Sequence, residues 1–201
     1  MEKFRRLRIK LSRIFGGILI AVVLLSSSAW ENTRPIVGLI LFLIGVIFVS
    51  IASLGRLWCS LYIGGYKSNT LITTGPYSLC RNPLYFFSFI GAMGMGFATG
   101  TIFFPFIMAA AFALYYPLVI KAEEHDLDDK YGKSFSNYLS TTPRFFPKIA
   151  LFNEPDTYTV NPKIFRKDLI QAFGFIWTLG ILKLIEELHN LEVLPTLFKF
   201  Y

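Results

Sequence analysis

Uncharged apolar runs recur along the chain at the length of a membrane crossing. Residues 35–54 carry no charge, and about 20 mostly apolar residues suffice for a helix to cross the hydrocarbon layer. Residues 101–120 form a second such run, with Pro105 in the first turn, where proline is tolerated. Residues 14–29 are slightly short, but extend through Trp30 as an interfacial anchor. Residues 84–100 open just after Pro83, are uncharged, and are rich in Gly and Ala. Gly100 alone separates this run from the next, which predicts a tight helical hairpin. A fifth stretch, 169–185, contains Gln171, Thr178 and Lys183. Its pattern fits either a span or an amphipathic helix along the interface. The expectation is an all-α fold, a multi-span transmembrane bundle of four to five helices. Residues 1–150 would form its core and 151–201 a C-terminal extension.

Charge fixes an orientation. The chain has 201 residues, 54% of them apolar and only 16% charged, yet its net charge is +7. That composition argues against a disordered tail and against a soluble nucleic-acid binder. Of the 20 basic residues, all but Arg34, Lys183 and Lys199 fall on one side of this layout. By the positive-inside rule the N-terminus and the large loops are cytoplasmic. The basic start and first apolar run also resemble a signal peptide. Ser26-Ser27-Ser28-Ala29 is a weak cleavage site, however, and a second span follows at once, so a retained helix is expected. Cys59 and Cys80 form no CxxC pair, and His125 and His189 lie far apart, so no metal site is expected.

Two cytoplasmic segments hold the unusual polar residues. In the first, Gly75-Pro76 marks a turn and Pro83 suits the opening of a helix. Asn82 would be its N-cap, and Arg81 would mark the membrane edge. This reading is structural. The second segment places Glu123 and Glu124 at the end of an apolar run, where positive charge is the usual choice. Leu127, Tyr131, Phe135 and Tyr138 fall near one helical face, so the helix is expected to continue past the pair. Asp126, Asp128 and Asp129 read as a solvated face with Lys130 and Lys133. Ala92, Gly96 and Gly100 read as a close-packing stripe.

Taken in order, these residues resemble the membrane methyltransferase superfamily of isoprenylcysteine carboxyl methyltransferase and the phospholipid N-methyltransferases. The resemblance rests on Gly75, Tyr77, Arg81-Asn82-Pro83-Leu84-Tyr85, Glu123-Glu124, Tyr131-Gly132, Tyr138 and Pro143-Arg144-Phe145-Phe146-Pro147. It covers roughly residues 35–150. It implies S-adenosylmethionine as methyl donor, in a pocket at the cytoplasmic ends of the helices. The positions matching its binding residues are Asn69, Thr70, Leu71, Ile72, Tyr77, Asn82, Pro83, Leu84, Tyr85, Glu123 and Glu124. A lipophilic methyl acceptor would enter from the lipid bilayer.

Two departures bear on the acceptor. Asn82 stands where the family usually has His, as in phosphatidylethanolamine N-methyltransferases. Val119 stands where carboxyl-methylating members look to place an Arg, which leaves Arg144 as the candidate cation for a carboxylate. An amine-type acceptor is therefore favoured, with carboxyl methylation as the alternative. Glu124, His125 and Tyr138 are candidates for the base that takes the amine proton. A nicotinamide-dependent membrane reductase and a non-enzymatic scaffold are the rival classes.

Overall fold

The computed structural model describes residues 14–64 and 70–201. In chain order the elements are α1 (Ile14–Leu24), β1 (Ser26–Ser28), α2 (Trp30–Thr33), α3 (Pro35–Ile63), α4 (Pro76–Leu79), α5 (Pro83–Phe97), α6 (Phe103–Tyr131), α7 (Lys133–Thr141), a 3-10 turn (Ile149–Leu151), α8 (Pro162–Asn190) and β2 (Phe198–Phe200). Among the described residues, α3, α6 and α8 are long and apolar enough to cross a membrane, and α1 and α5 are shorter apolar helices.

The two faces of α3 differ in size rather than polarity. Ile36, Ile40, Leu43, Ile47 and Leu54 are exposed, whereas Gly45, Val49, Ala52 and Cys59 are buried. Lipid is as apolar as leucine, so helices in it associate through small residues that allow close approach. A Cβ added at Gly45 would lie 2.7 Å from both the Ala98 nitrogen and the Gly94 oxygen, so α5 rests backbone to backbone on α3. One added at Gly96 would lie 2.6 Å from the Pro105 nitrogen. The expected packing stripe is therefore present at Gly96, facing α6, while Gly94 faces α3 and Gly91 sits against both Ala52 of α3 and Phe175.

The boundaries correct several expectations. The first apolar run does not stay helical to Trp30. It stops at Leu24, and Ser26–Ser28 pairs in parallel with Phe198–Phe200. The carbonyl of Tyr201 then accepts from Ile102 N and Phe103 N, at 2.8 and 2.9 Å, and ties the chain end to the α5–α6 turn. The 84–100 run yields only the 15 residues of α5. At about 1.5 Å per residue that is ~22 Å, short of the ~30 Å hydrocarbon layer. The hairpin itself is present, and its Gly100 has a positive φ of 68°.

α6 continues past the acidic pair as expected, but it ends at Gly132, whose φ is 49°. The face shared by Leu127, Tyr131, Phe135 and Tyr138 is thus divided between α6 and α7. The ambiguous 169–185 stretch is the middle of the 29-residue helix α8. Ile164 meets Gly64, Phe175 meets Arg56, Lys183 meets Phe42, and His189 meets the Leu24 carbonyl. Rising numbers on α8 against falling numbers on α3 make the two antiparallel from Gly64 to Phe42, and His189 carries α8 on to the end of α1. Phe165, Leu169, Phe173 and Trp177 follow one another at helical spacing along α8; the first two are half-buried, while Phe173 and Trp177 are exposed.

Candidate active site

At one end of the bundle the chain between α3 and α5 is folded back and braced. Gly75 has φ 60°, and the Tyr62 ring occupies the space its Cβ would need. Pro76 opens α4, and Ser78 Oγ donates to the Gly75 carbonyl at 2.7 Å. The extension clamps this turn: Asn153 N donates to Ser78 Oγ at 3.0 Å, and Gly75 N donates to the Asn153 carbonyl at 2.8 Å. Tyr77 is thereby buried beside Cys59 and Tyr62. Its carbonyl accepts from the Tyr138 hydroxyl at 2.6 Å, which joins α4 to α7.

A cavity of about 300 Å³ opens here between α4, α5 and α6. Of the residues expected to bind a cofactor, Thr70, Leu71, Ile72, Tyr77, Asn82, Leu84, Tyr85 and Glu123 line it, together with Tyr138. Asn69 lies outside the described residues. Pro83 is fully buried and opens α5 as expected, so it shapes the wall without facing the space. Asn82 does not cap α5 through its side chain; Nδ2 instead donates to the Arg144 carbonyl at 3.0 Å. Glu123 accepts from the Tyr85 hydroxyl at 2.7 Å.

The acidic pair does not act as one. Neighbouring residues on a helix point about 100° apart, and Glu124 turns away from the cavity. Arg81 donates to its Oε1 through Nε at 3.1 Å and Nη2 at 3.0 Å. Arg144 donates to its Oε2 through Nε at 3.0 Å and also through Nη2. Arg81 reaches further, to the Leu139 carbonyl at 3.0 Å and the Thr142 carbonyl at 2.6 Å. This cluster fastens α6, α7 and the α4–α5 junction to one another. The Glu124 partner holds the Arg144 guanidinium above its ordinary pKa.

The structure places the candidate bases and the candidate cation in different settings. Both oxygens of Glu124 are taken by guanidinium groups. His125 is exposed, 3.8 Å from Asp129, and lies outside the cavity lining. Tyr138 is buried with its proton committed to Tyr77, and burial pushes its phenol well above the usual range. Burial likewise raises the Tyr77 phenol, and raises the Cys80 thiol to about 11. Arg144 shares Glu124 with Arg81, so one carboxylate faces two guanidinium groups, and Arg144 also lines an apolar cleft.

A second, apolar cleft of about 490 Å³ runs between α5 and α6, lined by Phe89, Phe112, Tyr116, Phe145 and Arg144. The two spaces meet at aromatic rings: Tyr85 of the first packs edge-on to Tyr116 of the second, with centroids 5.2 Å apart. Sequence reasoning missed Tyr116, and assigned Arg81 only to the membrane edge. It also missed Leu127 and Tyr131 as cavity lining. These two lie one and two helical turns after Glu123, so helical periodicity could have found them. Nothing local pointed to Arg81, whose partners are 43 to 61 residues away.

A helical membrane protein with an open cavity carrying several polar side chains beside an apolar cleft is the class these features define. The family model for phospholipid methyltransferases matches residues 33–134. The chain belongs to that family. It is also 38% identical over 191 residues to the nickel-cobalt-cadmium resistance protein NccN of Alcaligenes xylosoxydans xylosoxydans, covering 95% of this chain and 88% of that one. It is 39% identical over 182 residues to the cobalt-zinc-cadmium resistance protein CzcN of Cupriavidus metallidurans, covering 90% of this chain and 82% of that one. No solved structure gives a significant match.

Proposed function

We propose that the protein transfers a methyl group from S-adenosylmethionine to an uncharged nucleophile, by preference an amine, on a lipophilic acceptor. The observation that carries this reading is the Tyr77 hydroxyl. It is buried, lines the cavity, and has no hydrogen-bond partner among the described residues. An orphaned buried hydroxyl costs about 1–3 kcal/mol, so a polar ligand group is the natural partner. The rest of the donor set fits the same cofactor. Glu123 can accept from ribose hydroxyls or an ammonium group, and the Tyr85 and Tyr131 rings offer faces to an adenine or a cation. Bound there, the cofactor would supply an electrophilic methyl group on a sulfonium.

What the chain does is position and exclude. The brace around Gly75 and Ser78 keeps water from the cavity floor, and the Arg81–Glu124–Arg144 cluster fixes its wall. The cleft lined by Phe89 and Phe112 suits the apolar part of an acceptor, which would meet the cofactor at the Tyr85–Tyr116 contact. An amine there must lose a proton. Glu123, through its bond to Tyr85, is the carboxylate positioned to receive it.

The same reading places the cavity end in the cytoplasm, with several helices crossing the bilayer. Lys148, Lys163, Arg166 and Lys167 at that end support it. The relatives' names concern resistance to divalent cations. An enzyme that alters membrane lipids fits those names without itself holding a metal. Among the described residues no three His, Cys, Asp or Glu side chains are grouped for a cation.

The test is lipid mass spectrometry after incubating the purified protein with isotopically labelled S-adenosylmethionine and a membrane extract. A labelled lipid is expected, absent for Glu123→Ala. No labelled product, together with no thermal stabilisation by S-adenosylhomocysteine, refutes the reading. Stabilisation by a reduced nicotinamide dinucleotide alone would favour a reductase.

A further inference from the structure

Arg56 interrupts the apolar face of α3. The exposed apolar positions of that helix run from Ile36 to Leu54, ~27 Å of helix and close to the thickness of a hydrocarbon layer. Arg56 follows just beyond. Trp58 comes next and packs on Phe152 with ring centroids 6.0 Å apart, as aromatic residues do at the headgroup level. Arg56 therefore stands at the boundary between acyl chains and headgroups.

Its side chain enters the seam where three helices meet. Nη1 donates to Ser88 Oγ on α5, and the guanidinium lies 5.5 Å from the centroid of the Phe175 ring on α8. The Ser88 hydroxyl itself donates to the Leu84 carbonyl at 2.7 Å. A guanidinium has five N–H donors, and Ser88 accepts from one nitrogen. Among the described residues no carboxylate pairs with Arg56. The residue is half-buried, so its remaining donors stay accessible from outside the bundle. A cation at this depth calls for an anion, and the planar guanidinium fork matches phosphate oxygens. About two to three helical turns from the Phe175 contact, toward the start of α8, stand exposed Lys163, Arg166 and Lys167, ahead of its first large exposed apolar residue, Ile170.

We propose that Arg56 and Ser88 hold the phosphate of an anionic phospholipid drawn from the bilayer, with its acyl chains along the outer faces of α3 and α8. Basic seams between helices suit such headgroups. Neither residue lines the cavity or the cleft described above, though Arg56 is within electrostatic reach of Tyr116 on the cleft wall, so the test reads lipid retention and not methyl transfer.

Native mass spectrometry of the full chain in neutral detergent tests it, with phosphatidylglycerol, phosphatidylcholine and inorganic phosphate as probes. The wild type should retain phosphatidylglycerol in preference to phosphatidylcholine. Arg56→Gln should weaken that binding at least fivefold, and millimolar inorganic phosphate should not displace it. If Arg56→Gln does not fold, Arg56→Lys decides: charge without the fork should weaken binding at least twofold. Unchanged phosphatidylglycerol binding in a folded variant overturns the proposal. So does equal retention of both lipids by the wild type, or full displacement by inorganic phosphate.

Discussion

Replacing Glu124 by Gln should unfold the protein early, whereas replacing Glu123 by Gln should not. Glu124 accepts from both Arg81 and Arg144, and its side chain and that of Arg81 are each 12% exposed. Removing one partner of a buried pair costs about 3–5 kcal/mol. Arg81 keeps the Leu139 and Thr142 carbonyls as acceptors, which puts this arm near the lower bound. The Arg144 side chain is 47% exposed, so its arm adds at most ~1 kcal/mol. The amide of Gln can still accept from one guanidinium, but it turns its NH2 toward the donors of the other. A loss of ~3 kcal/mol corresponds to about 6–12 °C in the thermal midpoint for a chain of this size. Glu123 is exposed and faces the cavity, so Glu123→Gln should change stability by less than about 0.5 kcal/mol while weakening S-adenosylhomocysteine binding. The assay is thermal unfolding in detergent, with and without that ligand. A Glu124→Gln protein as stable as wild type, or one that keeps its stability and loses only the ligand, refutes this division of roles.

Tyr77→Phe removes an unpartnered buried hydroxyl. It should leave the unliganded protein as stable or about 1 kcal/mol more stable, and lower S-adenosylhomocysteine affinity several-fold by calorimetry; unchanged affinity would disconnect the hydroxyl from the ligand. Gly45→Val should force α3 from α5 and cost at least ~1–3 kcal/mol, read as a lower thermal midpoint, whereas Gly38→Ala, with open space around it, should cost little. Burial holds Cys80, Tyr77 and Tyr138 in their neutral forms. Their pKa values are raised on folding, so the unfolded chain releases protons first and stability falls with rising pH. For Cys80 the loss begins near its ordinary 9.0 and levels off above about 11. Thermal midpoints measured from pH 7 to 11 should be flat at first and then decline; a rise above pH 9 would contradict the burial of these groups.

The length of the apolar runs identified a helical membrane protein, and did so because the bilayer sets that length directly. It also located α3, α6 and the α5–α6 hairpin, since nothing in lipid competes with the backbone's own hydrogen bonds. The polar residues around the cavity were legible as well: Tyr77, Tyr85 and Glu123 stand out in segments where composition alone would place bland loops. Hydropathy could not decide whether a run stays helical to its end. Ser26–Ser28 turned to a strand because Phe198–Phe200 lies alongside it, 172 residues away. Nor could it tell that α8 packs antiparallel along α3, which depends on contacts such as Gly64 with Ile164.

The division within the acidic pair is the clearest case. The sequence determined that two carboxylates leave the membrane edge together. Only the tertiary structure decided that Glu123 faces the cavity while Glu124 is held by Arg81 and Arg144. Rotation about a helix separates adjacent side chains by about 100°, so what each one meets depends on segments folded back from elsewhere in the chain. Arg56 obeys the same rule. Its position just past an uncharged apolar run is visible in the sequence, but its contacts with Ser88 and Phe175 appear only when α5 and α8 close around it.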